Sequence, residues 1–162
     1  MFVKLRRMTN EEFESFYGWS IEHQAKELME ELHISQEEAI SETVKEVAEM
    51  LPNGIDTPHN YFMTIVDSDS DENIGFVWTL HEVTGDRKQS FICDLAIWES
   101  NRRKGYASAA LYLLENQAAE AGCAESVLFV KDDNAAAKAL YKKCGYQVLR
   151  QHGYGKYMIK QL

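Results

Sequence analysis

The apolar positions of this 162-residue chain change their spacing as the chain advances. Residues 3–7 read as a short strand, and Thr9, Asn10, Glu11 and Glu12 follow it. A Thr hydroxyl and a Glu carboxylate three residues apart can each satisfy the other's main-chain N–H, so the pattern predicts a helix start. Phe13, Tyr17, Ile21, Gln24/Ala25, Leu28 and Leu32 then recur every three to four residues, the spacing of one helix face. Ser35 and Glu38 repeat the capping pattern and predict a second helix with Ile40, Val44, Val47 and Leu51 on its apolar face, stopped by Pro52, Asn53 and Gly54.

From Tyr61 the spacing is that of strands. Residues 61–67 and 74–83 flank an acidic turn, and residues 84–88 form the next hairpin loop. The alternation of Asp67, Asp69 and Asp71 loosely resembles a calcium loop, but neither glycine nor glutamate falls at the calcium-loop positions, so a plain hairpin turn is expected. Residues 91–98 form a nearly continuous apolar strand broken by Asp94, as in the middle of a sheet. A helix is predicted over 108–121 and stops at Gly122; a strand over 126–130 follows, parallel to 91–98 because a helix separates the two. Residues 134–144 give a compact helix ended by Gly145, and residues 146–150 and 157–160 a final hairpin around Gly153 and Gly155. The order predicts a mixed α/β sheet in one domain, 1–162.

Composition narrows the partners. Net charge is −9, and residues 11–50 hold twelve glutamates against Lys26 and Lys45, so the rest of the chain is close to neutral. That disfavours nucleic acid, which is bound by neutralising phosphates. The glutamates are either the solvated faces of two helices or a surface for a cationic partner. No run approaches the roughly 20 apolar residues of a membrane span, and the first residues lack a signal-peptide core; a cytoplasmic location is expected, with no membrane partner. Cys93, Cys123 and Cys144 are odd in number and unclustered, and His23, His33, His59, His81 and His152 are scattered, so neither disulfides nor a metal site is expected.

The stretch from Asn101 to Ala107 carries the chemistry. It links the strand at 91–98 to the helix at 108–121 and reads Arg-x-x-Gly-x-Ala at Arg102, Gly105 and Ala107. A turn opening directly into a helix presents unpaired N–H groups and the positive end of the helix dipole, which suits a pyrophosphate. Gly105 would let a phosphate approach the backbone, and Arg102, Arg103 and Lys104 add charge.

This turn with the strand before it, and the later segment Asn134, Ala137, Leu140, Tyr141, Gly145 and Tyr146, resemble the two signatures of the GNAT superfamily of acetyl-CoA-dependent N-acetyltransferases, Arg/Gln-x-x-Gly-x-Gly/Ala and Asn-x-x-Ala-x-x-Leu-Tyr-x-x-x-Gly-Phe. The match covers residues 90–146 directly. The resemblance implies a mostly antiparallel central sheet with a splayed parallel strand pair and flanking helices. It implies acetyl-CoA as cosubstrate, with the pyrophosphate at Arg102, Arg103, Lys104, Gly105, Tyr106, Ala107 and Ser108. The pantetheine would lie along Leu95, Ala96 and Ile97. Asn134, Ala137 and Tyr141 would line the cofactor from one helix face, with the Tyr141 hydroxyl as general acid towards the departing thiolate. Residues 60–162 would be the coenzyme-binding core and residues 1–58 the acceptor side, the acceptor cleft being shaped by residues 11–51 and 146–160.

The base is not fixed by this pattern. Some polyamine-acetylating relatives carry an acid where this chain has Cys93, so the candidates are Asp94, which points to the opposite face if the strand is regular, and Glu82 on the preceding strand. An acyl-cysteine role for Cys93 is the remaining option, without a neighbouring histidine in sequence. The expected reaction is direct attack of a primary amine, cationic by class and small-molecule or peptide in kind, on acetyl-CoA, by a monomer or homodimer. The alternative is a non-catalytic acyl-CoA-binding or sensing module on the same fold.

Overall fold

The computed structural model describes residues 3–162; Met1 and Phe2, part of the expected domain, lie outside the described residues. Two compact units are distinguished, residues 8–58 and the rest of the chain.

The first unit holds α1 (Asn10–Leu32) and α2 (Gln36–Met50). Both expected caps form. Thr9 Oγ1 accepts from Glu12 N at 3.1 Å while Glu12 Oε1 accepts from Thr9 N at 2.9 Å, and Ser35 Oγ accepts from Glu38 N at 3.2 Å. The buried stripes are partly displaced from the expected ones. In α1 the buried positions are Phe13, Phe16, Ser20 and Ala25, with Leu32 exposed; in α2 they are Ala39, Thr43 and Val47, with Ile40 and Val44 exposed. The α2 stripe runs i, i+4, i+8 through Ala39, Thr43 and Val47, of which Val47 was expected, as was the buried Leu51 that follows the helix; Ala39 and Thr43 are too small or polar to be found by apolar size.

The second unit is a sheet whose order is β1-β2-β3-β4-β5-β7-β6, with β1 (Val3–Arg7), β2 (Asn60–Asp67), β3 (Asn73–Thr84), β4 (Arg87–Ile97), β5 (Glu125–Lys131), β6 (Gln147–His152) and β7 (Gly155–Gln161). Every neighbouring pair is antiparallel except β4 with β5, as expected for strands joined through a helix. α3 (Tyr106–Glu120) is that crossover, and α4 (Ala135–Lys143) precedes the last hairpin. Ala109, Ala110, Leu111 and Leu114 of α3 share a core with Ile92, Leu128, Val130 and Met158 of the sheet.

The acidic turn is a hairpin. Asp67 Oδ1 accepts from the N–H groups of Asp69 and Ser70 at 2.8 and 3.1 Å, an Asx arrangement that closes the turn locally. Further along, Gly75 permits a close approach: a Cβ there would stand 2.2 Å from the Ala96 carbonyl oxygen, so β3 presses against the end of β4 where only a glycine fits.

Candidate functional site

After β4 ends at Ile97, a short 3-10 turn over Glu99–Asn101 leads into Arg102, and α3 begins at Tyr106. Arg103 and Gly105 both have positive φ, +62° and +82°, so the chain reverses tightly around Lys104. Gly105 is the N-cap of α3 and has no side chain to give; the first helical bond is Ala109 N to Gly105 O at 3.1 Å. The amides of residues 106–108 therefore receive no acceptor from the cap. No acidic residue lies in this first turn, whereas α1 and α2 carry Glu11/Glu12 and Glu37/Glu38 there. The positive end of the α3 dipole is left uncompensated beside the exposed Arg103 and Lys104, an arrangement suited to an anion.

The side chains of this turn divide their work. Arg102 Nε donates to the Ile97 carbonyl at 2.9 Å, bracing the turn against the strand it leaves. The Tyr106 hydroxyl donates to Asp67 Oδ2 at 2.5 Å, tying the helix start to the β2–β3 hairpin, and this bond is the main reason the Asp67 carboxyl is held below its usual range. Ser108 accepts a weak bond from the Cys144 thiol at 3.8 Å, which links α3 to the end of α4.

Next to the turn the sheet opens. β4 and β5 are in register only from Gln89/Glu125 to Ile92/Leu128, after which β4 runs on to Ile97 and β5 to Lys131 without pairing to each other. This is the expected splay. Trp98 N bonds to Ile74 O at 2.9 Å, so by the alternation of an antiparallel pair the main-chain groups of Ala96 face β3 while those of Leu95 and Ile97 face the open side. Extended main chain at such an edge can bond a ligand lying along it.

α4 delivers the second group. Asn134 caps it, Oδ1 accepting from Ala137 N at 3.1 Å, a structural duty that occupies its oxygen and not its amide nitrogen. Ala137 and Tyr141 pack partly buried against the core, and the Tyr141 ring meets that of Tyr146 edge-on at 5.8 Å. Burial, then the negative field of Asp94, then Cys144, push the Tyr141 hydroxyl up to about 12. The strand of Asp94 and the helix of Tyr141 are thus electrostatic neighbours.

The strand carrying Asp94 is not regular. β3 pairs Trp78 with Asp94 but Thr79 with Ile92, leaving Cys93 as an extra residue, a bulge. The expected alternation that would turn Asp94 to the face opposite Cys93 does not apply across it. Sequence reasoning missed the bulge because one residue too many leaves no mark in an apolar run. Cys93 is partly buried, and desolvation followed by the fields of Asp94 and Glu82 raises its thiol to about 12. Glu82 is exposed, accepts from Gln89 Nε2 at 2.8 Å within the hairpin, and is not among the groups that shift Tyr141.

A thiol so raised is neutral near pH 7–8 and a poor nucleophile. Cys93→Ala is therefore expected to keep acetyl transfer within about threefold of the natural chain, since the neutral thiol supplies no nucleophile. A folded Cys93→Ala chain devoid of transfer, with acetyl trapped on Cys93 of the natural chain, would contradict this.

Among the described residues no group of three or more His, Cys, Asp or Glu could hold a metal ion, and no helix is long and apolar enough to cross a membrane.

Comparison with known proteins places this geometry. Residues 7–146 match the model of the acetyltransferase (GNAT) family. The Bacillus subtilis (strain 168) protein named as the uncharacterized N-acetyltransferase YdgE is 34% identical over 146 residues, 90% of this chain and 92% of its own. The crystal structure of the acetyltransferase YycN from Bacillus subtilis superimposes with a TM-score of 0.83 at 28% identity, covering 93% of this chain and 96% of that one. A structure of spermidine N-acetyltransferase from Vibrio cholerae in complex with CoA and spermine shares the fold at 16% identity, with a TM-score of 0.67 over 98% of this chain and 95% of that one. The chain belongs to the GNAT family of acetyltransferases.

Proposed function

We propose that the chain moves the acetyl group of acetyl-CoA to a primary amine by direct attack, with Tyr141 as general acid and Asp94 as the base. One observation supports the reading: Asp94 stands on the stretch of β4 that runs on past its pairing with β5, its charge acts on the Tyr141 hydroxyl, and the same strand leads into a helix N-terminus without a side-chain cap. Phosphates at residues 102–108 and a pantetheine bonded to Leu95 and Ile97 would aim the thioester at this opening. Asn134 would meet the cofactor through its amide nitrogen and Ala137 by packing.

The steps follow from the charges. The amine must be neutral to attack the thioester carbonyl, and Asp94 takes the proton that its nitrogen sheds as the C–N bond forms. As the C–S bond breaks, the sulfur leaves as thiolate and takes the Tyr141 proton. A hydroxyl raised to about 12 stays protonated throughout the working range and so is always ready to donate. Glu82, committed to Gln89 and absent from the field on Tyr141, is the weaker candidate for base.

The acceptor is a cationic amine. The field of residues 11–50, with twelve glutamates against two lysines, attracts cations at long range, and Glu82 and Asp94 add negative charge on the sheet. A mass-spectrometric screen of amine acceptors with acetyl-CoA tests this. Polyamines and lysine-type amines are expected to gain one acetyl group, with rates falling as salt rises. Acetylation confined to neutral or anionic amines would overturn the charge assignment, and acetylation of none would overturn the reaction.

A further inference from the structure

Four strands each contribute one polar residue to a single row across the sheet: His81 of β3, Ser90 of β4, Ser126 of β5 and Lys160 of β7 are successive register partners. Register partners share a face, and this one is the face covered by α3, because Lys160 Nζ meets Glu115 Oε2 of that helix at 2.7 Å. Beside them the Tyr146 hydroxyl lies 2.8 Å from Ser126 Oγ. One end of the row is thus closed by direct bonds.

Elsewhere along it, and at the second carboxylate oxygen of Glu115, direct partners are missing. Among the described residues the buried side-chain atoms without a hydrogen-bond partner are His81 Nδ1, Ser90 Oγ, Glu115 Oε1 and Asp132 Oδ1. Asp132 lies outside the row and has Lys156 Nζ at 3.3 Å. The other three all belong to the row or to the helix residue against it. Ser90 is 1% exposed and Glu115 8%, so neither can turn to bulk solvent. Ser90 Oγ makes no direct bond to either register partner, and Cβ atoms facing each other on adjacent strands stand roughly 5 Å apart, a gap that one small bridging molecule can span with two hydrogen bonds. The bridge must be small, must donate to Glu115 Oε1, and must serve hydroxyl and imidazole alike. Water meets those conditions.

We propose that ordered internal water completes this row, bridging Ser90 Oγ to His81 and Ser126 and reaching Glu115 Oε1, and that the finished network fixes Tyr146 as a positioning residue for Tyr141. The second half rests on the acetyl-transfer reading above. Tyr146 touches Tyr141 twice, by ring contact at 5.8 Å and through Tyr146 N donating to Tyr141 O at 3.0 Å. Its hydroxyl is this chain's departure from the Gly-Phe ending of the family segment. Burial above all keeps that hydroxyl neutral, far above its ordinary range.

The test has three arms. A high-resolution crystal structure of the natural chain is expected to show water about 2.7–3.2 Å from Ser90 Oγ and from Glu115 Oε1; a dry row would overturn the proposal. Ser90→Ala is expected to lower Tm by about 2–4 °C, the scale of one lost hydrogen bond in a chain of this size. An unchanged or raised Tm would mean that an orphan hydroxyl had merely been relieved, and would also overturn it. Tyr146→Phe is expected to lower kcat about tenfold, the effect of roughly one misplaced polar contact, with KM for acetyl-CoA unchanged. A purely structural role would lower Tm and leave kcat of the folded protein intact, which would remove the positioning role. If the natural chain transfers acetyl to no amine, that role falls with the reaction, while the first two arms still decide the water.

Discussion

Gly105→Glu is expected to weaken acetyl-CoA binding about 10²- to 10³-fold in calorimetric titration, with the fold retained. Two effects act at one position. Gly105 holds φ at +82°, and a residue with a Cβ in that region costs roughly 1–2 kcal/mol. Charge weighs more than backbone strain. A carboxylate set about 4 Å from a pyrophosphate repels it by ~4 kcal/mol at the effective dielectric near a protein surface, less after screening. Gly105→Ala separates the two, since it keeps the backbone cost without the charge and is expected to lose about tenfold. Unchanged affinity in Gly105→Glu would move the pyrophosphate away from this turn.

Tyr141→Phe is expected to lower kcat by ~10²–10⁴ while the Kd for acetyl-CoA stays the same, because the hydroxyl acts on a charge that develops only as the thiolate departs. The pH dependence has a definite sign. Burial and Asp94 raise this hydroxyl to about 12, so its donating form persists at every lower pH. The natural chain's rate should therefore climb as the acceptor amine deprotonates, with no alkaline loss from Tyr141 below about 12. A kcat unchanged by the substitution would leave solvent as the acid.

Much of this was legible in the residues. The two capping patterns, the hairpin turns and the parallel placement of β5 follow from local chemistry and from the intervening helix, and all formed. The GNAT signatures directed attention to the turn at 102–108 and to Tyr141, the groups on which the proposed chemistry rests. What escaped depends on atoms distant in sequence. The bulge at Cys93 exists only in the register of β4 against β3, so the regular alternation on which the direction of Asp94 depended does not hold there. The tie of Arg102 to Ile97 turns an expected phosphate ligand into a brace first. The buried faces of α1 and α2 were legible only in part: Phe13, Ala25, Val47 and Leu51 are buried as expected, whereas Phe16, Ser20, Ala39 and Thr43 are buried too, and the small or polar ones among them carry no apolar signal. The polar row through Ser90 and Ser126 was invisible for a related reason: single serines in apolar strands carry no signal until the register aligns them.

If one opening in the sheet receives the thioester, with phosphates held at the start of α3 and Tyr141 at the sulfur, a crystal structure of the chain with acetyl-CoA will display all three together. Pyrophosphate oxygens are expected on the main-chain N–H groups of residues 105–108, pantetheine bonded to Leu95 and Ile97, and the Tyr141 hydroxyl within hydrogen-bond reach of the thioester sulfur. Acetyl-CoA bound elsewhere, or a sulfur turned away from Tyr141, would contradict this assignment.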